Sequence, residues 1–379
     1  MAKLMRVTTV PVSLRAFCSG LVRELSREGY EVVAVSSPGE ELDEFGRSEG
    51  VRTIGVPMER RMSPLKDVVS LWRMWRLMRR ERPDMVHSMT PKAGMITMMA
   101  AWLARVPVRI HTFTGLVFPT ATGLKRRILM ATDWLTCACA THVIPEGEGV
   151  KADLLSNHIT KKPLRVLGYG NVRGIDLNHY NPEAFNVNKD KSMFSFVFVG
   201  RLVGDKGVNE LVQAFSRLNA EYPATRLILI GPKESIDPLK PETLAKIERN
   251  SAIEALGRQG NVRPFYAQAD ALVFPSYREG FPNVVIEAGA MGLPSIVTNI
   301  NGSRELIIDG ENGIIIPSKD ADALFRAMKY FVENPDDVAR MAAHARPLIA
   351  NRFEQGYVRH CLKEFYRQCI EESHINQKS

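Results

Sequence analysis

The feature that most constrains this chain is a rhythm that runs, stops and starts again. Residues 4–10, 31–36, 51–56, 84–87, 106–112 and 141–144 are short, β-rich and apolar, and read as strands. Between them, 13–28, 64–82, 91–104 and 124–138 carry apolar residues at helical spacing, with Ser13 placed to cap the first. The run Glu31-Val-Val-Ala-Val-Ser36 is apolar almost throughout, as a parallel strand covered on both faces must be. Parallel neighbours need crossover helices, so the βαβα order predicts a parallel sheet with helices on both faces. Residues 168–192 then turn rich in Gly, Asn, Pro and Lys. After this break the rhythm restarts, with strands over 194–199, 225–230, 271–275, 294–297 and 313–316. Helices are expected over 208–221, 282–291, 321–334 and 335–350. A last amphipathic helix begins at Phe353 and puts Val358, Leu362, Phe365, Tyr366 and Cys369 on one face. The expected fold class is α/β, with two doubly wound, Rossmann-like domains facing across a cleft. The expected division is 1–180 and 181–352, and the last helix, 353–375, must bury its apolar face somewhere. The length of 379 residues gives each domain room for its own core.

Several classes are excluded at once. No apolar stretch reaches the roughly 18 residues of a membrane span; the nearest, 93–104, is too short. The start lacks the long apolar run of a secretory signal. The cysteines, Cys18, Cys137, Cys139, Cys361 and Cys369, are odd in number and form no C-x-x-C, which argues against a disulfide scaffold or zinc site and for a cytoplasmic protein. Charge is uneven: residues 1–165 hold 25 Lys+Arg against 16 Asp+Glu, while the remainder is near neutral. The basic half points to an anionic partner, and nucleic acid, a phospholipid surface and a phosphorylated substrate all fit that charge.

Two segments carry chemistry. Gly200-Arg-Leu-Val-Gly-Asp-Lys-Gly207 follows a strand and opens a helix. Ligands bind at the carboxyl ends of parallel strands, and helix N-termini favour anions. Arg201 and Lys206 beside that turn suit a pair of phosphates. In the second segment, Pro275-Ser-Tyr-Arg-Glu279-Gly-Phe-Pro-Asn283-Val-Val-Ile-Glu287, a strand ends, a Gly-Phe-Pro loop follows and a helix starts near Asn283. The N–H groups of its first turn can hold phosphate. Glu287 can accept hydrogen bonds from a ribose diol, and Glu279 lies where sugar hydroxyls would be.

Together these segments resemble the retaining glycosyltransferases of family 4, which have the GT-B fold. Gly200-Arg201-Leu202 with Asp205-Lys206-Gly207 resembles the family's diphosphate loop, and Glu279-x₇-Glu287 its paired-glutamate motif. Gly289-x-x-Gly292-x-Pro294 and Gly302…Glu305-Leu306-Ile307…Gly310…Gly313 follow the same pattern. In the first half, Pro83-Asp84-x-Val86-His87-x-x-Thr90-Pro91-Lys92-Ala93-Gly94 is similar to members that build capsules, O-antigens and other lipid-linked glycans. The resemblance implies that helix 353–375 returns to the first domain, 1–180, and that Arg201, Lys206 and Glu279 are catalytic. It implies that Gly200, Phe281, Pro282, Asn283, Val284 and Glu287 bind the donor. On the acceptor side it points to Pro11 and Ser13, where many members have a Gly-Gly loop, to Lys92, and to Thr114, where many have a histidine. His87 and His111 are read with a core role weighed against a site role.

The implied reaction transfers a hexose or N-acetylhexosamine from a nucleotide diphosphate donor, most simply UDP, to a hydroxyl acceptor with retention. The acceptor class is a lipid-linked saccharide in cell-surface polysaccharide synthesis. No cofactor, metal or nucleic-acid partner is expected. A UDP-sugar epimerase and a non-catalytic nucleotide-sugar-binding subunit are the alternatives. Absence of G-x-G-x-x-G after the first strand argues against an NAD enzyme. Lys125-Arg126-Arg127 at a helix start, and Arg73, Arg76, Arg79 and Arg80, point to an anionic membrane surface as a further partner, with the protein peripheral on its inner face. Trp72, Trp75 and Met78 are expected to pack inward against the sheet.

Overall fold

The computed structural model describes residues 2–59, 63–185, 189–190 and 192–376. The chain forms two compact units, Met1–Gly174 with Gly356–Ser379, and Ile175–Gln355. Unit 1 runs β1 (Lys3–Val7), α1 (Pro11–Cys18), α2 (Leu21–Arg27), β2 (Glu31–Ser36), α3 (Glu40–Glu49), β3 (Arg52–Gly55), α4 (Pro64–Glu81), β4 (Met85–Met89), α5 (Pro91–Leu103), β5 (Val108–Phe113), α6 (Gly123–Cys139), β6 (His142–Pro145) and α7 (Glu148–Ser156). Unit 2 runs β7 (Phe194–Val199), α8 (Val208–Glu221), β8 (Thr225–Ile230), α9 (Pro241–Arg249), β9 (Ile253–Ala255), α10 (Arg263–Gln268), β10 (Ala271–Phe274), α11 (Asn283–Ala290), β11 (Ser295–Thr298), α12 (Ser303–Leu306), β12 (Gly313–Ile316), α13 (Ala321–Glu333) and α14 (Pro335–Phe353). Helix α15 (Gln355–Asn376) carries the chain back to unit 1.

Both sheets are parallel and six-stranded, in the orders β3-β2-β1-β4-β5-β6 and β12-β11-β10-β7-β8-β9. Counted from each unit's first strand the two orders are the same. Each has one point where the winding reverses, between β1 and β4 and between β7 and β10. Such a switch point opens a crevice at the carboxyl ends of the strands, where ligands bind in this kind of sheet.

In unit 1, α4, α5 and α6 cover one face through Met74, Leu77, Ile96, Met98 and Cys137. The other face is covered by α1, α2, α3 and α15, with Leu14, Leu25, Phe45, Leu362, Phe365 and Tyr366 in one apolar cluster. Helix α15 is also tied to α2 by Arg359 on Glu24 at 2.5 Å and Lys363 on Glu28 at 2.8 Å. Between sheet and helix lies a buried polar knot. Arg6 Nη1 stands 2.6 Å from His87 Nδ1 and donates to the Tyr366 hydroxyl. A guanidinium only donates, so Nδ1 accepts and Nε2 carries the proton, donating to Thr112 Oγ1 at 2.7 Å. Burial and the Arg6 charge hold His87 well below its ordinary pKa, so it is neutral. His87 is therefore a satisfied core histidine.

Two expectations change here. The helix expected over 13–28 is two helices, and Ser13 is not its cap. Proline's fixed φ suits a first helical position, so α1 starts at Pro11 with Val10 as N-cap, and the Ser13 N–H donates to the Val10 carbonyl at 3.0 Å. The break falls at Gly20, whose φ of 74° suits glycine and where a Cβ would lie 2.6 Å from Arg359. The second change concerns α4, which has two apolar stripes. Met74, Leu77 and Met78 face the sheet, Trp75 is half-buried, and Trp72 is exposed with Leu65, Val68 and Val69. Helical spacing identifies stripes but not which one the sheet takes.

Unit 2 has one core, built on Phe196, Phe198, Phe215, Phe274 and Phe331. The residues just before β7 are part of it. Ile175 donates to the Phe353 carbonyl at 2.8 Å, and the Arg346 guanidinium reaches the Leu177 and Tyr180 carbonyls at 3.0 and 2.6 Å. The division consequently falls between Gly174 and Ile175, and between Gln355 and Gly356. Helices α9 and α10 and the edge strand β9 fill 241–268, a stretch in which the sequence pattern marked no element.

Candidate active site

The two sequence segments meet at the switch point of unit 2. Gly200 follows β7, and Pro275 follows β10. They are stitched by the Tyr277 N–H on the Asp205 carbonyl at 2.9 Å and by Arg278 on the Asp205 carboxylate at 3.1 Å. Gly207 makes the approach possible: its φ is 69°, and a Cβ would lie 2.1 Å from the Pro275 carbonyl oxygen. Gly302 presses on the second loop in the same way, 2.5 Å from the Gly280 carbonyl oxygen when a Cβ is built. Phe281 is buried with its ring 5.4 Å from Phe353, so it wedges the loop in place from below.

Arg201, Lys206 and Arg278 each have an acidic partner. Arg201 Nη1 lies 2.9 Å from Glu234, on the loop after β8. Lys206 is paired with Glu279, which also accepts from Ser276 Oγ at 2.9 Å, and its ammonium stands 5.6 Å from the centre of the Phe274 ring. Arg278 is on Asp205. A diphosphate entering here would exchange carboxylate for phosphate around the same cations, a substitution that fixed charge-assisted hydrogen bonds favour.

Helix α11 begins at Asn283, with Pro282 as an N-cap that supplies no side-chain hydrogen bond. The first-turn N–H groups, those of Asn283 and Val284 among them, project beyond the helix end, where anions are favoured. One turn in, Glu287 is largely buried and accepts from the Tyr266 hydroxyl at 3.3 Å. Burial and this carboxylate push the Tyr266 phenol well above its ordinary pKa, so it stays a donor. Glu234, Tyr266 and Arg278 were not singled out in the sequence, and Asp205 was named only as part of the loop motif, without its partner. No local spacing marks them, since each acts through a partner far away along the chain.

The residues expected on the acceptor side lie in unit 1, at the same edge of its sheet. Thr9 and Thr90, which end the β1 and β4 segments at the switch point, share a 2.8 Å hydroxyl hydrogen bond. Lys92, at the start of α5, donates to both Asp67 carboxylate oxygens at 2.7 Å. Pro11 and Ser13 are half-buried in the first turn of α1, and Thr114 is half-buried just after β5. His111 is elsewhere: it is buried on Ser88 Oγ at 2.8 Å, and Gly94 exists to admit its ring, since a Cβ there would stand 2.3 Å from it. Burial lowers His111 to about 3.

With this geometry in place, comparison with known proteins decides the family. The model of the glycosyl transferases group 1 matches residues 181–347, and that of the glycosyl transferase 4-like domain matches 14–170. The chain belongs to the family 4 glycosyltransferases. Similar proteins include the capsular polysaccharide biosynthesis glycosyltransferase CapM of Staphylococcus aureus, 29% identical over 98% of each chain. A second is the UDP-Gal:alpha-D-GlcNAc-diphosphoundecaprenol alpha-1,3-galactosyltransferase of Escherichia coli, 26% identical over 87% of each. The crystal structure of Anabaena HepE in complex with UDP and glucose superposes with a TM-score of 0.79 at 16% identity, covering 97% of this chain and all of that one. This glycosyltransferase therefore has the GT-B fold, as an α/β enzyme with two parallel sheets. Among its described residues no helix is long and apolar enough to cross a membrane.

Proposed function

We propose that this glycosyltransferase moves a sugar from a UDP-linked donor to a hydroxyl of a lipid-linked saccharide, with retention, in the synthesis of a cell-surface polysaccharide. The observation that carries this reading is the stitched pair of loops at the unit 2 switch point. They bring Arg201, Lys206, the start of α11 and Glu287 to one strand edge. As the glycosidic bond breaks, negative charge gathers on the leaving diphosphate. Arg201, Lys206 and the N–H groups of Asn283 and Val284 supply fixed positive charge there, with Gly200 leaving room for the phosphates. Glu287 takes the ribose and Glu279 faces the sugar. The acceptor oxygen bonds to the anomeric carbon on the face the diphosphate leaves, and the leaving phosphate accepts its proton; in this reading no protein nucleophile is used, and Arg201 and Lys206 carry the charge a resident metal would otherwise meet. Unit 1 meets the acceptor through the edge that holds Pro11, Ser13, Lys92 and Thr114.

HepE bound to UDP and glucose, and the galactosyltransferase with its diphosphoundecaprenol substrate, support the choice of donor and acceptor class. The test is a panel of nucleotide sugars screened by thermal shift, followed by UDP release with and without a polyprenyl-diphosphate saccharide. A true donor stabilises the fold by mass action. Acceptor-dependent release supports the reading. Donor binding without release would make the chain a binding subunit, and interconversion of the sugar without an acceptor would make it an epimerase.

A further inference from the structure

The connection from β8 to α9, residues 231–240, packs along the loop 200–207. The Leu202 N–H donates to the Pro232 carbonyl at 2.8 Å, and a Cβ on Gly231 would lie 1.8 Å from the Gly200 carbonyl oxygen. At the far end, the Asn209 side chain of α8 accepts from the Lys240 N–H at 3.1 Å and from the Thr243 hydroxyl at 2.8 Å. Between these ties stands Asp237. Its carboxylate accepts the Asp205 N–H at 2.6 Å, and its carbonyl accepts the Gly204 N–H at 3.1 Å. Gly204 leaves room for it, since a Cβ there would stand 2.7 Å from Asp237 Oδ1. Asp237 holds a φ of 62°, in the left-handed region, immediately before Pro238. A residue under such strain persists where its surroundings over-determine it. Asp237 is exposed, so the bonds to the loop, not core packing, hold it there.

The consequence is for the donor site. The N–H groups of Leu202 to Gly207 are all bonded within unit 2. Those of Val203, Lys206 and Gly207 go to carbonyls of the loop itself, and those of Leu202, Gly204 and Asp205 to the β8–α9 connection. Over these residues the loop therefore meets a diphosphate with side chains, not with a cradle of backbone donors. Where those side chains stand is set by the turn Gly204–Lys206. Asp205, fixed through its N–H, gives its carboxylate to Arg278 and its carbonyl to the Tyr277 N–H. Lys206, next in the chain, pairs with Glu279.

We propose that Asp237 is a positioning residue of the transferase. It caps the turn 204–206 from a separate loop and so holds Arg201 and Lys206 where the leaving diphosphate gathers charge. This rests on the donor reading above and adds to it a residue that acts on the donor through the loop. Its role differs from that of Glu234 on the same connection, which meets the Arg201 side chain. Removing Glu234 frees a cation; removing the Asp237 carboxylate frees a backbone turn.

Two variants separate the bond from the backbone. Asp237→Gly adopts the same φ without strain and lacks the carboxylate, whereas Asp237→Asn keeps an acceptor oxygen and tolerates that φ. The measurements are amide hydrogen exchange over residues 200–207, UDP titration, and kcat and KM for acceptor-dependent UDP release, all on the full chain. Asp237→Gly is expected to speed exchange in this segment about fivefold and to lower kcat about tenfold. UDP affinity should fall less than about threefold, because the start of α11 and Glu287 stay in place. The melting temperature should hold, since the side chain is exposed. Asp237→Asn should recover most of both losses. Wild-type exchange and kcat in Asp237→Gly would overturn the proposal, and so would an Asp237→Asn as impaired as Asp237→Gly. The exchange measurement needs no substrate. A wild type that binds no UDP-sugar, with exchange still responding to Asp237→Gly, would therefore fault the donor assignment and not the anchoring of the loop by Asp237.

Discussion

Arg201 Nη1 sits 2.9 Å from Glu234, a carboxylate from the next strand's loop that occupies one side of the cation expected to meet the donor diphosphate. The pair is well exposed, so it adds little to stability. Its consequence is for binding: a negative charge stays beside the place where a more negative ligand must sit. Glu234→Gln is expected to tighten UDP binding about threefold to tenfold in titration calorimetry. In an Arg201→Ala background the same change should do much less. An unchanged or weakened affinity for Glu234→Gln would show that the pair does not compete with the ligand.

Glu287 and Tyr266 form the second testable contact. Glu287→Ala should weaken UDP binding by about 1–3 kcal/mol through lost charged hydrogen bonds. Tyr266→Phe removes the donor that orients the carboxylate and should cost less, with the ribose role intact. Equal affinity for UDP and deoxy-UDP in the wild type would contradict the ribose assignment.

The path from sequence to site was uneven for physical reasons. Phe194–Val199 and Thr225–Ile230 were legible because doubly buried parallel strands are apolar along most of their length, on both faces. The Gly200 and Glu279 loops were legible because their chemistry lies within a few residues of a strand end. Glu234 and Tyr266 were not, nor was the pairing of Asp205 with Arg278, since these partners are set by the sheet order. Trp72 was misjudged because it shares with Leu65 and Val68 the same spacing as a core face.

Acid should destabilise unit 1 through His87 and His111, both buried and neutral, with folded pKa values below the ordinary 6.5. The unfolded chain binds these two protons at a higher pH than the folded one does. Stability is therefore fully present above about 6.5 and falls as pH drops below it, by about 1.4 kcal/mol per pH unit for each histidine. For His111 the fall continues to about 3. Urea denaturation between pH 7 and 5 checks the slope, and His111→Gln should reduce it. A flat profile would mean that the two rings are hydrated in the folded state.

Gly207 can be tested by a single methyl. Gly207→Ala must leave its φ of 69° or push on the Pro275 carbonyl, so the two donor loops should separate. The expected result is a loss of about 1–3 kcal/mol in stability together with loss of UDP binding. Retention of both would mean that the loops do not need this contact.

The central claim is that unit 2 stabilises a departing nucleoside diphosphate with Arg201 and Lys206. The most direct measurement is acceptor-dependent release of UDP from the matching UDP-sugar, in the presence of chelator, for the wild type and for Lys206→Ala. Turnover that needs acceptor, persists with chelator and falls about 10²-fold or more in the variant is the result predicted. Wild-type turnover in Lys206→Ala, with its fold and UDP affinity intact, would contradict it.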